Sequence, residues 1–339
     1  MSQSMKALVY EAPREMNMRT VPAPVPEEGE VLVRVCRVGI CGSELSGYLG
    51  HNSLRVPPLI MGHEFAGVVA TVGQGVSAFR PGDRVTVNPL VSCGSCRACR
   101  SGAPQLCADR RIIGAHRPGA FAEFVAAPAA NVVLLPAEAT MEQGALTEPL
   151  ACAVHIAKLA RLRPDHRLLV FGAGPIGLLV LLTARAYGLA DVAVMDLNRE
   201  RLKAAARCGG VAVDSTEALR AIAPQGGFDI AVDAVGVEAT RRQAVELTRR
   251  GGRVVFSGLH EADSSLPVND AVRNEIAMLG AFCYDTEDFA VALEWLSKGK
   301  IDLGDELSLF PLAEGQACFE RLLSGDNAHT KIVLQVADE

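Results

Sequence analysis

Between Met5 and Pro136, apolar residues come in short β-branched or alternating runs: Ala7 to Tyr10, Glu30 to Val38, Phe65 to Val72, Asp83 to Val87 and Phe121 to Val125. Alternation bounded by Gly and Pro, as in Pro81-Gly82-Asp83, predicts half-buried strands joined by turns. This half reads as all-β and barrel-like. After Thr140 the period changes. Met141 to Leu162 repeats apolar positions at helical spacing, and short apolar runs then alternate with helical segments. These are Leu168 to Phe171, the helix Ile176 to Tyr187, Val192 to Asp196, Val211 to Val213, Asp229 to Asp233, Arg253 to Ser257 and Met278 to Ala281. Such alternation predicts a parallel, doubly wound sheet. Past Ala281 the alternation stops, and Thr330 to Val336 reads as one more strand in a tail that returns to the first domain.

The fold class is therefore α/β in two domains, which 339 residues also favour. Apolar residues make up 49% and charged residues 21% of the chain, the proportions of an ordinary globular protein. A net charge of −6 supplies no basic field for neutralising nucleic-acid phosphates. The apolar run Leu178 to Leu182 falls far short of the roughly 20 residues a membrane span needs. The N-terminus has no positively charged region followed by an apolar one, so the chain reads as cytoplasmic, with no membrane or nucleic-acid partner.

Cysteine spacing adds chemistry. Cys93, Cys96, Cys99 and Cys107 are spaced to close a thiolate tetrahedron around Zn²⁺, in a Gly, Ser and Arg-rich segment that cannot order itself by burial. A zinc-ribbon DNA reader would rest only on Arg97, Arg100, Arg110 and Arg111. Cys36, Cys152, Cys208, Cys283 and Cys318 lie far apart and are expected to be small buried hydrophobes.

Upstream, Gly39-Ile40-Cys41-Gly42-Ser43-Glu44 follows a predicted strand and Gly62-His63-Glu64 precedes another. A thiolate, an imidazole and a carboxylate suit Zn²⁺ and leave a coordination position open. A Lewis acid of this kind lowers the pKa of bound water from about 15.7 to about 7, and a bound alcohol responds similarly before its carbon gives up a hydride. Ser43 is a candidate proton acceptor, or else a turn-capping hydroxyl. Glu148, in Glu148-Pro149-Leu150, is either a helix-terminal charge or a group reaching the metal or its water.

Phe171-Gly172-Ala173-Gly174-Pro175-Ile176-Gly177 places Gly-x-Gly-x-x-Gly between an apolar strand and a helix, the arrangement that seats a pyrophosphate. Asp196, 19 residues beyond Gly177, closes the second strand, where a carboxylate accepts from a ribose 2′-OH and repels a 2′-phosphate. NAD is thus favoured over NADP, with Arg199 as the residue that would support the alternative.

These motifs together resemble the zinc-dependent medium-chain dehydrogenase/reductase superfamily over essentially the whole chain, and within it the sorbitol, threonine and galactitol-1-phosphate dehydrogenase branch. The resemblance implies a GroES-like β-barrel catalytic domain over 1–150, completed by 289–339, and a Rossmann NAD-binding domain over 151–288. It implies two zinc ions per subunit. The catalytic one is held by Cys41, His63 and Glu64, with Glu148 on it or its water, and the structural one by Cys93, Cys96, Cys99 and Cys107. It further implies a homodimer or homotetramer that interconverts a secondary alcohol of a polyol, sugar alcohol or sugar phosphate with the ketone. A threonine-type amino alcohol dehydrogenase and a non-catalytic NAD and zinc-binding scaffold are the alternatives.

The chain departs from the family pattern in two places near the metal. Glu44 stands where Asp is common, and Ser46 replaces a proton-relay histidine, with His51 five residues further on. Phe282-Cys283-Tyr284 does not reproduce the arginine-containing stretch of sorbitol dehydrogenases. Tyr48, His51, Asn52 and Arg55 form a polar stretch open to two readings, contact with substrate hydroxyls or a phosphate, and a solvated loop.

Overall fold

Val31, Val33, Val35 and Val38 lose all solvent contact on β3 (Glu30–Gly39), and the sheet that positions the site grows around this strand. The computed structural model describes residues 4–325 and 330–339. They fall into two compact units, Met1–Glu148 with Asp285–Glu339, and Pro149–Tyr284. In the first, a sheet runs β10 (Val132–Leu134), β6 (Arg84–Val87), β5 (Glu64–Val72), β3, β18 (Lys331–Gln335), β17 (Leu307–Pro311), with β9 (Phe124–Pro128) also paired to β3. β1 (Ser4–Ala12) lies between β2 (Glu15–Pro22) and β4 (Leu59–Ile60), and β7 (Leu90–Val91) pairs with β8 (Arg111–Ile112). Phe65, Phe121, Phe319 and Leu334 fill the core with the β3 valines.

Helices α1 (Gly42–Tyr48), α2 (Arg97–Arg100), α9 (Thr286–Ser297) and α10 (Gly315–Ser324) belong to this unit, while α3 (Met141–Ala160) carries the chain across its boundary. The predicted strand Phe121 to Val125 is displaced. Phe121 and Ala122 are tied to β1 and Met61 instead, Leu8 donating to the Phe121 carbonyl and Phe121 to that of Met61, so the strand begins at Phe124. Sequence patterning also missed β2, β4, β7, β8, β10 and β17 and the helices α1, α2, α9 and α10. The stop in alternation at Ala281 marks the return of the chain to the first unit, with β18 antiparallel to β3.

The second unit is one parallel sheet in the order β13 (Val211–Val213), β12 (Val192–Met195), β11 (Leu168–Phe171), β14 (Phe228–Asp233), β15 (Thr248–Phe256), β16 (Ala277–Gly280). The connecting helices are α4 (Pro175–Ala186), α5 (Arg199–Arg207), α6 (Thr216–Ile222), α7 (Glu238–Glu246) and α8 (Val268–Arg273). Parallel strands covered on both faces need continuous apolar runs, and Leu168 to Phe171 is buried throughout. Strand order reverses beside β11, the switch point where such sheets bind ligands at their carboxyl ends. Of the lone cysteines, Cys36 and Cys318 are fully buried as expected. Cys152, Cys208 and Cys283 are only half-buried; Cys208 ends α5 as its C-cap and so sits at the edge of the sheet's cover. No helix among the described residues is long and apolar enough to cross a membrane.

Candidate active site and metal centres

Register brings three strands to one point. Gly39, the last residue of β3, lies opposite Glu64 of β5 on one side and Val333 of β18 on the other. Cys41 follows two residues later as the N-cap of α1, and Lys331 precedes Val333 by two, on the same face of its strand. A side chain on Gly39 would run into the Glu64 carboxylate and the Lys331 stem, so the missing Cβ makes room for both. Cys41, His63 and Glu64 each offer a ligand atom, and these atoms lie within 4.8 Å of one another.

Glu44, fully buried, fixes the imidazole. It accepts from the backbone N–H groups of Cys41 (3.1 Å) and Gly62 (2.9 Å), and its Oε1 sits 2.7 Å from His63 Nδ1. An ionised carboxylate dictates the Nδ1–H tautomer and leaves Nε2 for a metal. The extra methylene of Glu44 relative to Asp therefore does not break this contact. Burial pushes Glu44 upward, but the charge and hydrogen bond of His63, then Arg55 and the Cys41 amide, hold it below the usual carboxylate range. Burial lowers His63, and the negative charge of Glu44 with the Cys41 sulfur more than reverses this, so without metal the ring titrates well above its ordinary value.

Lys331 was missed by sequence reasoning. Its ammonium pairs with Glu64 and donates to the Ile40 carbonyl at 2.9 Å, with both side chains almost wholly buried. A lysine opening the apolar run Ile332-Val333-Leu334 is the signal that could have found it. Ser43 Oγ donates to Cys41 Sγ at 3.3 Å. Glu148 is buried on α3 but is not part of the group of three.

The quartet Cys93, Cys96, Cys99 and Cys107 also converges within 4.8 Å, between β7 and β8. Tetrahedral Zn²⁺ with bonds of about 2.3 Å sets sulfurs about 3.8 Å apart. The Cys96–Cys99 and Cys93–Cys99 separations are 3.5 and 4.0 Å, so the donor set fits. Backbone N–H groups of Ser95 and Cys96, aided by the Ser95 hydroxyl, lower the Cys93 thiol to about 6.

In the second unit, Gly172 takes φ +94° at the end of β11, Gly174 caps α4 and Pro175 occupies its first turn. A Cβ on Gly177 would collide with the Gly172 carbonyl, whereas one on Gly174 would meet nothing, which leaves an open face in front of the free N–H groups of α4. Ile176 is half-buried beside it. A pyrophosphate fits this cradle. Asp196 accepts from Ala173 N (2.7 Å) and Asn198 N (2.8 Å), which places its carboxylate beside the glycine turn. Arg199 is exposed, and it is Arg201 Nη1 that stands 4.0 Å from Asp196. Asp233, another residue not singled out, accepts from the amides of Val235 and Gly236 and from Thr240 Oγ1, and so fixes the loop that closes on Gly172.

The polar stretch after α1 resolves unevenly. Tyr48 is not a substrate contact: it is fully buried, and its hydroxyl is bonded to the Arg14 carbonyl and Glu320. His51 is exposed, Asn52 donates to the Ser43 carbonyl at 3.3 Å, and Arg55 is buried against Ser43.

Comparison with known proteins gives a consistent picture. Residues 27–137 match the family described as alcohol dehydrogenase GroES-like domain, and residues 175–298 that described as zinc-binding dehydrogenase. A sorbitol dehydrogenase of Bacillus subtilis is 34% identical, over 98% of this chain and 97% of its own. A 2-dehydro-3-deoxy-L-galactonate 5-dehydrogenase of Pseudoalteromonas atlantica is also 34% identical, over 94% of this chain and 95% of its own. A crystal structure of an Escherichia coli alcohol dehydrogenase complexed with NADH superposes with a TM-score of 0.93 at 30% identity, covering 98% of this chain and 99% of that one.

Proposed function

The chain belongs to the zinc-dependent medium-chain dehydrogenases, and from that premise we propose that it interconverts a secondary alcohol of a polyol, sugar alcohol or sugar derivative with the ketone, using NAD. The observation that carries the reading is the convergence of Cys41, His63 and Glu64 with a buried carboxylate, Glu44, fixing the imidazole tautomer. When bound, zinc supplies Lewis-acid polarisation of the substrate hydroxyl and NAD supplies the hydride acceptor.

The roles fall to the chain as follows. Cys41 and His63 Nε2 hold the metal, Glu64 completes the set, and Glu148 serves the metal or its water. Ser43 relays the substrate proton, its half-buried hydroxyl taking that proton as it releases its own to solvent; the hydroxyl borders the Cys41 sulfur and is oriented by Arg55. Cys93, Cys96, Cys99 and Cys107 hold the structural zinc. The turn Gly172 to Gly177 and the α4 N-terminus seat the pyrophosphate, and Asp196 selects the unphosphorylated ribose. The unit built from Met1–Glu148 and Asp285–Glu339 is the catalytic domain, and Pro149–Tyr284 binds the dinucleotide. The protein works as a homo-oligomer in the cytoplasm: β16 is an edge strand with Met278 exposed, and Val272 of α8 is exposed.

The relatives' sugar-derived substrates support the polyol reading over the amino alcohol one. The test is a metal count on the purified protein with NADH formation measured over polyols, sugar acids and L-threonine. Turnover of polyols or sugar acids that disappears in Cys41→Ala, with the fold retained, is expected. Tight NADH binding without turnover of any alcohol would favour the scaffold, and selective turnover of L-threonine the amino alcohol enzyme.

A further inference from the structure

Arg55 is 6% exposed, yet it pairs with no carboxylate among the described residues. Its stem lies over Gly47 of α1, where a Cβ would collide with its Cδ, so the helix is shaped to receive it. Nη2 donates to Ser43 Oγ at 3.0 Å, while Nε is buried with no hydrogen-bond partner. Glu44, whose charge Arg55 stabilises, is already committed to His63 and two backbone amides. Burying a cation with unspent donors costs several kcal/mol unless an anion completes it.

The surroundings reinforce the positive potential. His116 is held below its ordinary pKa by burial first and then by Arg111, Arg110 and Arg55, so three guanidiniums act on one neutral imidazole. The guanidinium is one hydrogen bond from Ser43, and Ser43 is one hydrogen bond from the Cys41 sulfur. The guanidinium therefore stands two hydrogen bonds from the Cys41 sulfur, beside the place where the dehydrogenase reading puts the alcohol.

We propose that Arg55 binds an anionic substituent of the substrate, a carboxylate or a phosphate monoester, and makes the enzyme selective for sugar acids or sugar phosphates over neutral polyols. The inference rests on the dehydrogenase reading and narrows its substrate class. A planar fork matches either anion, and a site with buried donors left unpaired discriminates against a ligand that lacks the partner group.

The experiment compares kcat/KM of the zinc-loaded protein, at saturating NAD, on matched sets of a polyol, its aldonate and its phosphate monoester. An anionic member is expected to exceed its neutral counterpart by about a hundredfold, and the better of the two anions identifies the source. In Arg55→Met this ratio falls to near one, mainly through KM, and Arg55→Lys keeps part of it because charge survives without the fork. Wild-type turnover of neutral polyols equal to that of the anions overturns the proposal. So does Arg55→Met lowering every substrate by one common factor, which marks a structural prop for Ser43, or raising only the KM for NAD. If Arg55→Met does not fold, the wild-type ratio and its decline with added salt decide. A panel on which nothing is oxidised sinks the dehydrogenase reading instead. Calorimetric titration of the NAD-saturated protein, whose glycine cradle is filled, with an aldonate and with inorganic phosphate then still decides: heat of binding that Arg55→Lys diminishes supports the anion site and its absence overturns it.

Discussion

A carboxylate that spends its oxygens on two backbone amides and one imidazole has a single rotamer left to it, and Glu44 passes that rigidity to His63. Glu44→Gln keeps the volume and removes the charge that holds the Nδ1–H. Zinc affinity is expected to fall about 10- to 100-fold, read by competition with a chromogenic chelator. Unchanged affinity would mean that Glu44 supports the loop and not the metal. Lys331 poses the complementary question for Glu64. Lys331→Met leaves a carboxylate buried without its cation, a loss of about 3–5 kcal/mol in the metal-free protein by denaturant unfolding. Zinc is itself a cation for Glu64, so the zinc-loaded protein should lose clearly less. Equal losses with and without zinc would show that Glu64 answers to the lysine alone.

At the scale of elements, chemistry is borne by turns that strands merely align. The quartet segment has only α2 and a short 3₁₀ turn over Pro104–Leu106 of its own between β7 and β8, so on the proposed reading its order should depend on the metal. Cys96→Ser should lower the zinc content from about two to about one per chain, by elemental analysis, and open Arg97 and Arg100 to trypsin. Resistance equal to wild type would show the segment is held by its protein contacts. In the glycine turn, Gly177→Ala drives a methyl into the Gly172 carbonyl, expected to cost about 1–3 kcal/mol and to weaken NADH binding measured by fluorescence titration. Both features were legible in the sequence because their partners lie within a few residues of one another. Lys331 was not: its partner Glu64 is 267 residues away, and only the β3–β18 register brings them together. Tyr48 was misread because a phenol reads as polar while its ring is core. α9 and α10 were missed because their segments follow the return of the chain to the first unit, where alternation no longer guides the eye.

For the whole molecule, the chain leaves the first unit after Glu148 and re-enters it at Asp285, so strands from both ends of the sequence build the proposed metal site. Its stability should therefore follow the protons on that site as well as those on the surface. Glu142 is pushed up by burial but held low by its own backbone amide and Arg37, and Asp229 likewise by the Arg167 amide and Arg249. Carboxylates depressed in the fold contribute stability above their unfolded pKa values of about 4, and that contribution is lost as pH falls through the folded values. His63 has the opposite sign. Its folded pKa is raised, so in the metal-free protein its contribution is full below the unfolded value of about 6.5 and fades as pH rises through the folded one. As the proposed ligand the ring must be neutral, so zinc binding would displace that proton and weaken up to about tenfold, or about 1.4 kcal/mol, for each pH unit of acidification. The rise in melting temperature on zinc loading should accordingly grow with pH until the raised folded value of His63 is passed, where the metal-free ring has no proton left to displace. The quartet also releases protons, the Cys93 thiol titrating near 6, and the same increment measured in His63→Gln removes that contribution. An increment in wild type no steeper with pH than in His63→Gln would take the imidazole out of the ligand set and with it the proposed chemistry of the first unit.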